Sequence, residues 1–263
     1  MFQALHTAAS GMLAQQMGLD NIANNLANAS TAGFRARRLQ FEDLLYQNLV
    51  ASGSASSQQT TVSSGLQVGM GTRPASTEIV STQGTFTTTN NPLDLAIEGA
   101  GFFQIQMPDG TLAYTRAGSF HPDANGNMVT SEGYALQPPF AVPLNATGVS
   151  IGKDGTVTAT TPGSPKAQQI GAITLATFAN VGGLNSLGDN LFTPTTASGD
   201  AIVGTPGGSE GLGTLQQGEL EESNVNVVDQ FVQMIEAQRS YEANSRVVQA
   251  ADQMSQELNG LQH

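Results

Sequence analysis

Cysteine is absent from the 263 residues, which removes disulfides, zinc–thiolate sites and cysteine nucleophiles and leaves the compartment open. Basic side chains are scarce: 9 Lys and Arg stand against 21 Asp and Glu, for a net charge of -12. A nucleic-acid binder needs a basic footprint to displace counterions from phosphate, so that class is excluded. Charged residues of both signs make up only 11% of the chain. No apolar run approaches the roughly 18 to 20 residues of a membrane span. The first Lys or Arg is Arg35, so neither membrane insertion nor a cleavable secretory signal is expected. A location outside the cytoplasm would need an export route that leaves the N-terminus uncleaved.

Both ends of the chain carry helical periodicity. From Phe2 a three-four alternation selects Leu5, Ala9, Met12, Gln16, Leu19, Ala23 and Leu26, an a/d stripe broken only by Gln16. Asn21, Asn24, Asn25 and Asn28 mark the other side, and Ser30-Thr31-Ala32-Gly33 supplies the stop. Near the C-terminus Val227, Phe231, Met234, Tyr241 and Val248 are followed by Ala251, Met254, Leu258 and Leu261. Ser223-Asn224 offers cap chemistry ahead of this run, and Asp229 suits the positive end of the helix dipole. The fold class expected is α+β, with long coiled-coil-forming terminal helices flanking a mainly antiparallel β region. The apolar stripes must be covered, either within the chain or by neighbouring copies. Covering by neighbours without closure would generate a helical filament or tube.

Between the helices Gly and Thr rise and turn signals separate short alternating runs. Pro108-Asp109-Gly110, Asn125-Gly126 and Lys153-Asp154-Gly155 predict three hairpins. Ser52 to Gly65 and Gly199 to Gly213 have the composition of connectors.

Catalytic and metal chemistry has little to work with. His6, His121 and His263 form no pair with metal-site spacing. His121 with Asp123 reads as the approach to the Asn125-Gly126 turn rather than an acid–base pair. The run Asp123 to Asn127 fails the calcium-loop pattern, because its glycine is fourth instead of sixth and no glutamate stands twelfth. Gly69-Met70-Gly71 and Gly99-Ala100-Gly101 lack the third glycine of dinucleotide binding. No catalytic residue, metal or cofactor is expected. Arg35, Arg37 and Arg38 cluster after the first helix, with Glu42 and Asp43 near, and are candidates for local or inter-subunit ion pairs.

One set of motifs is specific. Asp20 to Asn28, read DNIANNLAN, followed by Ser30-Thr31-Ala32-Gly33-Phe34, resembles the N-terminal signature of flagellar rod and hook axial proteins. Ser223 to Val227 with Met234, Gln238, Arg239, Tyr241, Glu242 and Asn244 resembles their C-terminal signature. Asn91 to Gly99 with Asp94, then Gly101-Phe102-Phe103, and Tyr114 to Phe120 with Arg116 and Gly118, are similar to the inserted domain. Phe41 to Gln47, Ser64 to Gly69 and Gly71 to Pro74 resemble the distal rod members, with a proximal rod or hook subunit as the alternative.

The resemblance implies a structural subunit that polymerises into a tube around an export channel and carries torque. It implies partners in other copies, proximal rod proteins, the hook protein and the ring proteins of the peptidoglycan layer and outer membrane. It also implies a periplasmic rod position reached by type III export, and a Ser52 to Gly65 segment ordered by assembly. The organisation expected is a helical polymerisation domain from 1–30 plus 224–263, a connector from 31–90 plus 196–223 and a β-rich outer domain over 91–195. Phe2, Leu5, Met12, Leu19, Leu26, Phe231, Met234, Tyr241, Val248, Met254 and Leu258 are the candidate polymerisation residues.

Overall fold

The computed structural model describes residues 2–53, 63–208 and 211–260. The chain divides into two compact units. The first gathers Met1–Leu26, Arg37–Glu78 and Asn226–His263, and the second Ala27–Ala36 and Ile79–Val225.

The first unit holds α1 (Phe2–Ala27), β1 (Arg37–Asp43), β2 (Tyr46–Val50), β3 (Leu66–Gly69), β4 (Thr72–Ile79) and α2 (Val227–Gly260). Alanine-rich and free of proline, α1 has nothing to interrupt it until the turn in which Thr31 N–H meets the Asn28 carbonyl at 3.1 Å. The cap of α2 is Asn226, whose Oδ1 accepts from Val228 N–H at 3.0 Å, and not the predicted Ser223-Asn224. β1 pairs with β4, and β2 pairs antiparallel with β3. Most of the predicted connector from Ser52 to Gly65 lies outside the described residues.

The second unit begins with β5 (Phe86–Thr88), β6 (Leu95–Glu98), β7 (Phe102–Gln106), β8 (Leu112–Thr115), β9 (His121–Pro122), β10 (Met128–Val129) and β11 (Ala135–Gln137). It continues with β12 (Gly148–Ile151), β13 (Thr156–Thr161), β14 (Ser164–Ala172), β15 (Leu175–Thr177), β16 (Asn185–Gly188) and β17 (Leu191–Thr193). It ends with β18 (Ile202–Gly204), β19 (Thr214–Gln217) and β20 (Glu219–Glu221). The largest sheet runs β16-β17-β8-β7-β11-β10-β9, with β15 joining β7 to β18. The three predicted hairpins are present as β7–β8, β9–β10 and β12–β13, each antiparallel. The second predicted connector is not merely a link, because β18 lies inside it and pairs with β15.

Strand alternation explains the core. Side chains on a strand point to opposite faces in turn, and β7 uses both faces. Phe103 and Ile105 enter one apolar cluster with Leu95, Phe120, Met128 and Leu175. Phe102 enters a second with Tyr114, Phe178 and Phe192. The Tyr114 and Phe178 rings meet edge to face at 4.8 Å. Gln104, buried between them in sequence, donates to the Thr174 hydroxyl at 3.0 Å.

The coiled-coil expectation is corrected by this fold. Among the described residues there are two α-helices, one short 3-10 turn (Val181–Gly183) and twenty strands, so α+β holds, but the helices do not interlock through the predicted seam. The face of α1 covered within the unit runs through Ala8, Gly11, Gln15, Gly18, Ile22 and Asn25. It lies one residue, about 100° of rotation, from the predicted stripe. Apart from Ile22 its residues are small or polar, and neighbours approach closely. A Cβ on Gly11 would stand 2.8 Å from the Asn244 amide nitrogen, and one on Gly18 would stand 3.8 Å from the Phe41 ring. On α2 the covered residues are Gln230, Ala237 and Ala251, while Phe231, Tyr241 and Met254 are exposed. A three-four spacing marks a helix face, and it does not say that the face meets a matching helix.

Gly118 permits one crossing in the second unit. Its carbonyl accepts from Leu95 N–H at 3.0 Å, and a Cβ there would stand 1.6 Å from the Leu95 carbonyl oxygen. Gly118→Ala is therefore expected to cost about 3 kcal/mol or more, read as a lowered midpoint in urea denaturation. Three aspartates contribute to the acid response. Asp109, Asp123 and Asp154 sit below the ordinary 3.8, held chiefly by side-chain hydrogen bonds from Thr111, Asn127 and Thr156. The unfolded chain binds the extra protons first, so their stabilisation is present above pH 3.8 and is lost as pH falls through the lower folded values. Urea midpoints measured from pH 7 to 2 are expected to fall less steeply for an Asp109→Asn, Asp123→Asn, Asp154→Asn triple variant than for the parent.

Candidate functional site

The first unit carries a set of large apolar side chains exposed to solvent. Leu13 on α1 is 59% exposed, Leu45 between β1 and β2 is 86% exposed, and Phe231 and Ile235 on α2 are 48% and 50% exposed. Met17, Tyr46, Leu49, Val228 and Val232 extend the same apolar character. Single exposed apolar residues are ordinary, but this many in one small unit is not.

The predicted polymerisation residues divide. Leu5, Met12, Leu19, Leu26, Met234 and Val248 are half-buried, and Phe231, Tyr241 and Met254 are exposed. The side chains of Phe2 and Leu258 lie outside the described residues. Ile235, Val232 and Leu13 are exposed too and stand outside the predicted set, because a strict heptad template passes over apolar residues that stand beside its own positions.

The asparagines of the N-terminal signature hold backbone. The Asn25 amide donates to the Arg37 carbonyl at 2.8 Å and its Oδ1 accepts from Arg37 N–H at 2.9 Å, while Asn21 donates to the same carbonyl at 2.8 Å. Asn25 also donates to Gln230 Oε1 at 3.2 Å, which ties α1 to α2. With Gly11 facing Asn244 and Asn25 facing Gln230, the two helices run antiparallel. Asn28 accepts from the Thr31 hydroxyl at 3.2 Å, and Asn24 is exposed.

In the second unit the signature residue Arg116 is part of a buried ionic centre. Glu221 bridges Arg35 at 2.9 Å and Arg116 at 2.7 Å, and all three side chains are almost wholly buried. Arg116 also donates to the Gly101 carbonyl at 2.6 Å and the Ile97 carbonyl at 2.9 Å. Arg35 donates to the Thr82 carbonyl. Burial, followed by the nearby Arg116 charge, lowers the Arg35 guanidinium to about 10, with Glu221 opposing the shift. Gly33, at a φ of +70°, donates to the Glu221 carbonyl at 2.8 Å, and a side chain there would strike the Ala117 backbone. Asp94 accepts from the Thr89 hydroxyl at 2.6 Å and from Asn91 at 2.9 Å. Phe34 is half-buried, and Phe102, Phe103 and Phe120 are core.

The arginine cluster therefore divides. Arg35 finds its carboxylate inside the chain, in Glu221, and Arg38 pairs with Glu78 at 2.9 Å at an exposed site. Arg37 serves through its backbone. Glu221 was not legible beforehand, since nothing in Glu219-Leu220-Glu221-Glu222 distinguishes it from its acidic neighbours.

His6 and His121 are exposed, and His263 lies outside the described residues. Asp123 accepts from Asn125 N–H at 2.7 Å and Asn127 N–H at 2.8 Å, the geometry of a turn. Among the described residues no group of three or more His, Cys, Asp or Glu side chains is placed to hold a metal ion.

The two ends of the chain return to one unit, and a β-rich unit is inserted between them. Three family profiles match it: the flagellar basal body rod protein over residues 5–35, the flagellar hook protein FlgE/F/G D1 domain over 96–159, and the flagellar basal body rod FlgEFG protein C-terminal region over 216–261. The chain is 48% identical to the flagellar basal-body rod protein FlgG of Buchnera aphidicola subsp. Schizaphis graminum over 99% of this chain and 100% of that one. It is 48% identical to FlgG of Caulobacter vibrioides over 98% and 99%. Identity to the flagellar hook protein FlgE of Brucella suis is 24%, over 99% of each. The chain belongs to the flagellar basal-body rod protein FlgG family.

Replacing Glu221 by Gln would leave two buried guanidinium groups without their carboxylate. Glu221→Gln is expected to lose roughly 3–5 kcal/mol, measured by chemical denaturation, whereas Glu78→Gln at the exposed Arg38 pair should leave the midpoint almost unchanged.

Proposed function

We propose that this rod subunit builds the distal part of the flagellar rod, polymerising with copies of itself into a helical tube that surrounds the export channel and transmits torque to the hook. The observation that carries this reading is the exposed apolar surface of the first unit, contributed by Leu13, Leu45, Phe231 and Ile235. A surface of this kind gains about 25 cal/mol for each Å² removed from water. It is heterologous, with different elements offered to different neighbours, and repetition of such contacts generates open helical assemblies.

In the assembled tube the terminal helices, over 1–30 and 224–263, form the inner layer and the β-rich part over 91–195 the outer one, with 31–90 and 196–223 between. Leu5, Met12, Leu19, Leu26, Met234, Tyr241, Val248 and Met254 contribute to contacts between copies. The role is structural and not catalytic. Its neighbours in the basal body are the proximal rod proteins, the hook protein and the peptidoglycan-layer and outer-membrane ring proteins. The subunit occupies the periplasmic rod after export without a cleaved signal. An acidic, well-hydrated exterior, from a chain of net charge -12, suits a shaft turning inside a sleeve. The 48% identity to rod proteins against 24% to a hook protein favours the rod over the hook.

Phe231→Asp places a charge on the apolar surface of α2 without touching the second unit's core. Cells carrying only this variant are expected to be non-motile, with basal bodies lacking the distal rod and hook, while the purified variant unfolds at the parental urea midpoint. Normal swimming would refute the assignment of Phe231 to the interface.

A further inference from the structure

Beside the ionic centre lies a cavity of about 340 Å³ that rod assembly leaves without a role. Its charged lining residues are Arg35 and Arg116, and no carboxylate lines it. Among the described residues the carboxylate paired with both arginines is Glu221, which also accepts from Gly84 N–H at 3.0 Å. The Thr82, Gly101 and Ile97 carbonyls contribute dipoles but no charge, so two cations face one anion in a buried setting. A guanidinium carries five N–H groups, and each terminal nitrogen of the pair has a second N–H beyond the bonds described.

The lining also includes Phe102, Phe178 and Val181, with the two rings edge to face at 6.0 Å. A water takes about 30 Å³ of liquid volume, so the cavity exceeds what a bare ion fills and falls within the range of small-molecule pockets, about 300–1,000 Å³. We propose that this cavity binds an organic carboxylate with a flat apolar body, its oxygens at the Arg35 and Arg116 guanidinium groups and its body against Phe102, Phe178 and Val181. The carboxylate balances the uncompensated cation, and the rings cover the body. The cavity lies wholly in the second unit, so the assignment stands independently of assembly through the first.

The test uses the full chain, dilute and at constant ionic strength, titrated calorimetrically with benzoate and with benzamide, which has the same shape without the charge. Saturable benzoate binding is expected, at least about tenfold tighter than benzamide because the anion alone makes charge-assisted bonds. Val181→Trp, which fills the apolar end and leaves both arginines in place, should abolish it with an unchanged circular dichroism spectrum. Absence of saturable benzoate binding to the parent, or benzamide binding as tight as benzoate, would overturn the proposal. Unchanged binding in a folded Val181→Trp chain would do the same.

Discussion

Glu221 decides where the chain enters and leaves the β-rich unit. Its carboxylate takes Arg35, just after α1, and Arg116, at the end of β8. The neighbouring backbone reinforces the junction: Gly33 N–H meets the Glu221 carbonyl, Ala36 N–H meets Asn224 Oδ1 at 2.7 Å, and Val80 N–H meets the Ala36 carbonyl at 2.8 Å. Residues 33–36 and 221–224 are thereby held side by side. A unit whose ends are adjacent can be inserted between two helices without separating them, and α1 and α2 then share one unit. A buried ion pair gives little net stability against an apolar replacement, but it tolerates only one arrangement of its partners. Its contribution here is to register.

The two units meet the same physical requirement differently. The second closes its own cores, with Phe103, Phe120, Leu95 and Ile97 wholly out of solvent. The first has two long helices and four short strands, too few layers to bury the apolar residues that they carry. Apart from Ile22, what it buries is small or polar: Ala8, Ala14, Asn25, Gln230, Ala237 and Ala251. Large side chains such as Phe231 and Ile235 are left facing outward. That division between a small, polar seam inside the unit and a large, apolar face outside it is what an assembling subunit requires.

Much of this was legible from residue order. Helix positions followed from periodicity, the three hairpins from their Gly-containing turns, and the family from Asp20 to Asn28 and Tyr114 to Phe120. The coiled coil was misread because heptad spacing selects the bulky residues of a helix, whereas α1 and α2 approach through Gly11, Asn25 and Asn244. The cap of α2 shifted to Asn226 because Asn224 spends its side chain on Ala36, Val80 and Thr82. Glu221 could not be singled out, since its partners lie 186 and 105 positions away, the first separation being 221 less 35. Local patterns carry elements and turns; a contact across that distance is set by the fold.

The most direct measurement is electron cryo-microscopy of isolated basal bodies at side-chain resolution, read at Leu13, Leu45, Phe231 and Ile235. These side chains are expected to be in van der Waals contact with adjacent copies, with no large apolar side chain of the first unit left facing water. Finding them facing solvent or the central channel, with copies joined instead through the β-rich units, would contradict the account.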